Sequence, residues 1–285
     1  MRALIAASLL ASGCFAADFS GQSAYEFAKK AVAFGVRPPG SEANRKLQAY
    51  IASQVKADGA ELIEDAFTAR TPKGEIAMKN IIAKFPGKSG KAIVITGHFD
   101  TKLFPAPRKF VGANDGGSST GLLLELARVM AHRPRVDDLY IVWFDGEEAI
   151  REEWEGEDNL YGSRHLAERW RKDGTLARVK ALINVDMIGD KHLNIRREMQ
   201  GNARVRNMVW ETAAKLGYQA YFTDETISED DDHMPFVKLG VPAIDIIDMD
   251  YPAWHTDEDT LDKISAQSLD IVGTVVAEVV HRLEQ

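Results

Sequence analysis

Asp145-Gly146-Glu147-Glu148 places two glutamates side by side, directly after the apolar run Leu139-Tyr140-Ile141-Val142-Trp143-Phe144. A short apolar run that ends in turn residues reads as a buried strand opening onto a loop. In open α/β sheets, ligands sit at that end of the strand. Adjacent carboxylates there can divide two tasks: one binds a cation while the other stays free to move protons. The chain offers partners for such a cation. His98, Asp115, Glu148, Asp186 and His255 all fall after expected strands or on loops, next to Gly, Asp or Thr. Any one of them alone is more often a turn or capping residue. Five together form a set of imidazoles and carboxylates suited to a borderline ion such as zinc. No HExxH helix is present, which excludes the zincin arrangement.

These residues need a scaffold, and the pattern around them supplies one. Strand-like runs at 80–85, 92–96, 139–144, 179–185 and 241–247 alternate with helical spacing at 25–36, 118–131, 163–172, 202–216 and 266–283. Ser41 is placed to cap a further helix that runs to about Asp58, and Ser228 or Asp232 to open another that stops at Leu239-Gly240. Alternation of this kind predicts a mostly parallel, mixed central sheet with helices on both faces, a single three-layer α/β/α domain. No linker divides it.

At 285 residues the chain can bury a substantial core, and 45% hydrophobic with 27% charged residues is ordinary for a globular protein. A formal charge of -8 argues against nucleic acid or an anionic membrane as partner. Acidic residues crowd 147–158 and 224–232, where they border the candidate metal chemistry and suit cationic substrates. Residues 1–17 have the outline of a signal peptide: Arg2, an apolar run from Ala3 to Leu10, then small residues that place cleavage after Ala16. The expected catalytic domain is then 18–285, exported to the periplasm or beyond. Leu10 to Cys14 also resembles a weak lipobox, which makes a lipid anchor through Cys14 the alternative. Cys14 is the only cysteine, so no internal disulfide is expected. No second apolar segment is long enough to span a membrane. Oligomeric state is not readable.

Taken in order, six segments carry a family resemblance: Gly97 to Lys102, Phe110 to Asp115, Phe144 to Ala149, Leu160 to Ala167, Asp231 to Phe236 and Trp254-His255-Thr256. With Asn184 to Gly189 they resemble the M28-type zinc aminopeptidase superfamily, and within it more closely the glutaminyl cyclases. The resemblance runs from about Arg37 to the C-terminus. It implies one zinc per chain held by Asp115, Glu148 and His255, with Glu147 as general acid/base. It also implies that Asp186 and Asp231 hydrogen-bond around that glutamate and the departing group, and that Trp154 and Trp254 wall the substrate pocket. The implied reaction converts the N-terminal glutamine of peptides or proteins to pyroglutamate with release of ammonia. Three departures stand out. Asp245 replaces a histidine of the animal enzymes, an extra residue lies between Glu148 and Trp154, and the animal cysteine pair is absent.

The chemistry suits the residues. An N-terminal glutamine holds its own amine near its side-chain amide, so the effective molarity is of order 10⁵ M or more when well oriented. What remains is to polarise the amide oxygen and to move one proton. A two-zinc aminopeptidase would use nearly the same parts. Asp115 would bridge, His98 and Asp186 would complete the second metal, and Glu147 would activate water. Trp154, the Asp231-Asp232 pair and Trp254 beside His255 favour the cyclase. A third reading is a metal-binding exported protein without activity, and Glu147 argues against it, since a purely structural site needs no unliganded acid.

Overall fold

The structure is a computed structural model that describes residues 19–131 and 133–285. The expected signal segment, with Cys14, lies outside the described residues. Six strands form one sheet in the order β1-β2-β4-β3-β5-β8. They are β1 (Glu61–Thr71), β2 (Gly74–Phe85), β3 (Ala92–His98), β4 (Asp138–Phe144), β5 (Val179–Asp186) and β8 (Ala243–Ile247). β4, β3, β5 and β8 run parallel, while β1 and β2 are antiparallel additions at one edge. A second, two-stranded sheet pairs β6 (Ile195–Glu198) with β7 (Phe222–Ile227).

The central strands are buried on both faces, so they read as continuous apolar runs rather than as alternation. Their side chains still divide by parity. Ile93, Ile95, Ile141, Trp143, Ile183 and Val185 point into one core with α1 (Gly21–Val32), α2 (Glu42–Ala57), α3 (Gly117–Met130), α5 (Ala203–Lys215) and α7 (Ala266–Leu283). Val94, Tyr140, Val142, Phe144 and Leu182 point into the other, against Leu166 and Trp170 of α4 (Tyr161–Asp173) and Phe236 of α6 (Met234–Lys238). This is the three-layer α/β/α arrangement with a mostly parallel mixed sheet.

Several boundaries differ from the sequence reading, each for a local reason. The first helix lies four residues earlier than its apolar pattern, because the Ser20 side chain accepts from Ser23 N and caps it there. Ser41 caps the second helix as expected. The segment before Gly240 forms only the five-residue α6, since 228–233 is spent reaching the cleft. β1, β6 and β7 are strands that the pattern did not announce. β1 is an edge strand with nine of its eleven residues exposed or half-exposed, so it shows no apolar face. No helix among the described residues is long and apolar enough to cross a membrane.

Candidate active site

The four parallel strands all end on one side of the sheet, and their C-terminal ends deliver the candidate residues. β3 ends at His98, β4 feeds Asp145 to Glu148, β5 ends at Asp186, and the segment after β8 brings His255. β3 leads to β4 on one side while β5 lies on the other, so this is the switch point at which such sheets bind ligands. Asp115 reaches the same place from the turn before α3, where Gly116 adopts φ 75°. A Cβ on Gly116 would meet the Asp100 carbonyl at 2.6 Å, so both space and backbone demand glycine there.

Asp115 sits at the centre, with one oxygen turned each way. Its Oδ1 is 3.1 Å from His98 Nε2, which is itself 3.1 Å from Asp186 Oδ1. Its Oδ2 is 3.5 Å from His255 Nε2, which is 3.2 Å from Glu148 Oε1. Two groups of convergent donor atoms result, Asp115/Glu148/His255 and His98/Asp115/Asp186. Glu147 is buried beside them, its Oε2 3.8 Å from His98 Nδ1. Asp186 bonds His98, and Asp231 accepts from Asn184 Nδ2 at 3.1 Å, so these two acids are tied to neighbours other than Glu147. Asn184 also donates to Asp245 Oδ1 at 3.1 Å, with its amide oriented by Thr96 Oγ1. Burial pushes Asp245 well above the usual carboxylate range, and the neighbouring Asp231 and Asp186 add to it.

The cleft in front holds about 230 Å³, smaller than the roughly 300–1,000 Å³ of drug-sized pockets and matched to a chain end. Both tryptophans line it, Trp154 from the loop after Glu148 and Trp254 from beside His255. The extra residue before Trp154 therefore does not carry that ring out of the cleft. Trp254 stacks on the His255 ring, centroids 4.4 Å apart, and Phe104 and Phe110 meet it edge-on at 5.7 Å each. Glu152, Glu153, Glu229 and Asp230 add an acidic rim.

What holds these loops was not read from the sequence, although Asp100 lies in one of the six segments that carry the resemblance. Asp100, fully buried, accepts from the backbone amides of Gly146 and Glu147 at 3.0 and 3.1 Å and of Glu148 at 3.3 Å. Asp259 does the same for Asn114 and Asp115 at 2.8 and 3.1 Å. The fully buried Arg37 guanidinium donates to the carbonyls of Phe99, Val111 and Gly112. Their partners are main-chain atoms far away in sequence, so no local pattern announces the role; Arg37 entered only as the point from which the resemblance runs. The start of α4 is tied to the acid pair by Leu160 N donating to the Glu147 carbonyl at 2.8 Å. Leu160, Met187 and His255 are the non-glycine residues with positive φ among the described residues, at 50°, 47° and 54°. All three border the site, and such backbones cost about 1–3 kcal/mol each.

Does this donor set fit a metal? Burial pushes Glu147 well up, raises Glu148 and Asp186, and lifts Asp231 to about 6. So many buried acids, with few cations among them, ask for additional positive charge. Two carboxylates and one imidazole, converging from Asp115, Glu148 and His255, suit zinc.

Residues 80–280 match peptidase family M28. The solved glutaminyl cyclase of an Acidobacteriales bacterium is 40% identical, covers 99% of both chains and superposes with a TM-score of 0.91. The chain belongs to family M28, in its glutaminyl cyclase branch. Among curated family members, the glutaminyl-peptide cyclotransferase-like protein of Bos taurus is 28% identical over 261 residues, 79% of this chain and 66% of that relative. This member of the family thus spans about two thirds of the curated relatives' length. A Zn-dependent exopeptidase of Parabacteroides distasonis shares the fold at 29% identity, with a TM-score of 0.84 over 92% of this chain and 98% of that one.

Proposed function

We propose that the protein is a zinc-dependent glutaminyl-peptide cyclotransferase acting on peptides or proteins with N-terminal glutamine, and that 18–285 is its catalytic domain. The observation that carries this reading is the convergent Asp115/Glu148/His255 group, its two carboxylates buried, with Glu147 beside it and two tryptophans in front. The similarity to a solved glutaminyl cyclase over the full chain supports it. We assign one zinc to Asp115, Glu148 and His255. Zinc bound there would polarise the side-chain amide oxygen of the substrate.

The remaining work falls to this chain's own groups. Trp254, stacked on His255, and Trp154 would flank the glutamine side chain and shield it from water. The α-amine attacks the amide carbon; a new N–C bond forms, and the old C–N bond breaks to release ammonia. Glu147 takes the proton lost by the amine and gives it to the leaving nitrogen. Burial raises its carboxyl well above the ordinary glutamate value, which favours its holding the proton between the two transfers. Asp186 and Asp231, which line the same cleft, would hydrogen-bond around Glu147 and the departing group. The segment 1–17, outside the described residues, supports export, with Cys14 as the alternative lipid-anchored route.

The deciding assay counts zinc in the purified protein and offers Gln-Xaa and Leu-Xaa peptides in parallel. Ammonia from the first and nothing from the second, at one zinc per chain, is expected. The His98/Asp115/Asp186 group is the observation that favours a second metal. Free amino acid from both peptides with two zincs would replace the cyclase by an aminopeptidase.

A further inference from the structure

Lys102 is buried where a lysine is costly. It lies in the segment after β3, is 1% exposed, and directs Nζ toward Glu148 Oε2 at 3.6 Å and the Ala149 carbonyl at 3.5 Å. Glu148 is equally enclosed, and Oε2 makes no hydrogen bond. Its Oε1 points the other way, to His255. The carboxylate therefore has a front oxygen among the donor atoms of the cleft and a back oxygen against a cation. If Lys102 only filled space, a methionine would do so without desolvating an ammonium.

We propose that Lys102 is a positioning residue that tunes the metal site through Glu148, leaving one carboxylate oxygen available and lowering its donor strength. The proposal rests on the assignment of Glu148 as a ligand. Two effects of removing Lys102 oppose each other. Loss of an orienting outer partner weakens metal binding about 10–100-fold. Loss of a nearby positive charge strengthens it. Two unit charges about 4 Å apart at an effective dielectric near 20 move an equilibrium roughly a thousandfold. Charge outweighs orientation, so the net effect is tighter binding of a less activating ion.

The test equilibrates the full chain and its variants with zinc against a competing chelator, and measures turnover of a Gln-peptide at saturating zinc. Lys102→Met should bind zinc at least about tenfold more tightly while kcat falls about tenfold and KM stays near its original value. Lys102→Arg, which keeps the charge, should restore both. Lys102→Gln, which keeps a donor without the charge, should behave like Lys102→Met and decides the matter if the methionine variant does not fold. Weaker or unchanged zinc affinity in the uncharged variants overturns the proposal, because a merely structural lysine would lower affinity and turnover together. Glu148→Ala is the separate control. If it binds zinc as tightly as the unaltered chain, the ligand assignment itself fails, and the Lys102 proposal fails with it.

Discussion

Glu147 is the residue on which the proposed chemistry turns, and its neighbours make the test clean. Glu147→Gln keeps the shape and leaves Asp115, Glu148 and His255 in place. Zinc content should remain at one per chain, with kcat lower by about 10²–10⁴-fold, the usual worth of a positioned proton carrier. Metal analysis beside an ammonia assay checks both halves. Trp254→Ala removes the ring stacked on His255 and should raise KM more than it lowers kcat, as read from initial rates over a range of Gln-peptide concentrations. At this scale the sequence was informative about groups that act and silent about groups that hold. His98, Glu148 and Asp186 end or follow apolar strands, so position marks them. Asp100, Asp259 and Arg37 serve by gripping main-chain atoms of distant loops, and that role has no local pattern.

The elements bring these groups together, and their close packing is testable away from the site. Gly121 of α3 lies against α1; a Cβ there would meet the Ala24 carbonyl at 2.3 Å and Ala28 N at 2.7 Å, both main-chain atoms that cannot swing aside. Gly121→Ala should cost at least about 1–3 kcal/mol of stability, measured by denaturant unfolding, through overpacking. The buried strands were legible because each carries a dense apolar run, and α7 has the bounds its helical spacing predicted. β1 was not, because an edge strand with solvent on its exposed positions carries no periodic core face. α6 was overread. Its pattern continued while the backbone left the helix to place Asp231 and Asp232 in the interior.

Across the whole molecule, buried acid dominates. Asp248 is fully enclosed, and burial lifts its carboxyl to about 6 from an ordinary 3.8. A carboxyl whose folded value is raised binds more protons in the fold than in the unfolded chain. Its contribution is therefore complete below about pH 4 and is lost as pH rises through about 6, up to about 3 kcal/mol for this one group. Asp259, lifted to about 6 in the same way, adds to it. The chelated protein should thus melt at lower temperature as pH rises from about 4 to about 7, and zinc should recover part of the loss. Thermal scans with and without chelator measure it. The acidic rim acts over longer range. Peptides with Lys or Arg after the glutamine should show several-fold higher kcat/KM than acidic ones at low salt, and the gap should narrow as ionic strength increases.

The left-handed backbone at Met187 and His255 has a practical consequence for anyone who would improve this protein. Relief of such a kink is no route to heat resistance at Met187: glycine adopts φ 47° freely, but the methionine side chain is 1% exposed and lies in a cluster with Ile247 and Tyr251, so Met187→Gly empties more than it relaxes. A glycine would also let the turn after Asp186 wander. The variant should be both less stable and slower.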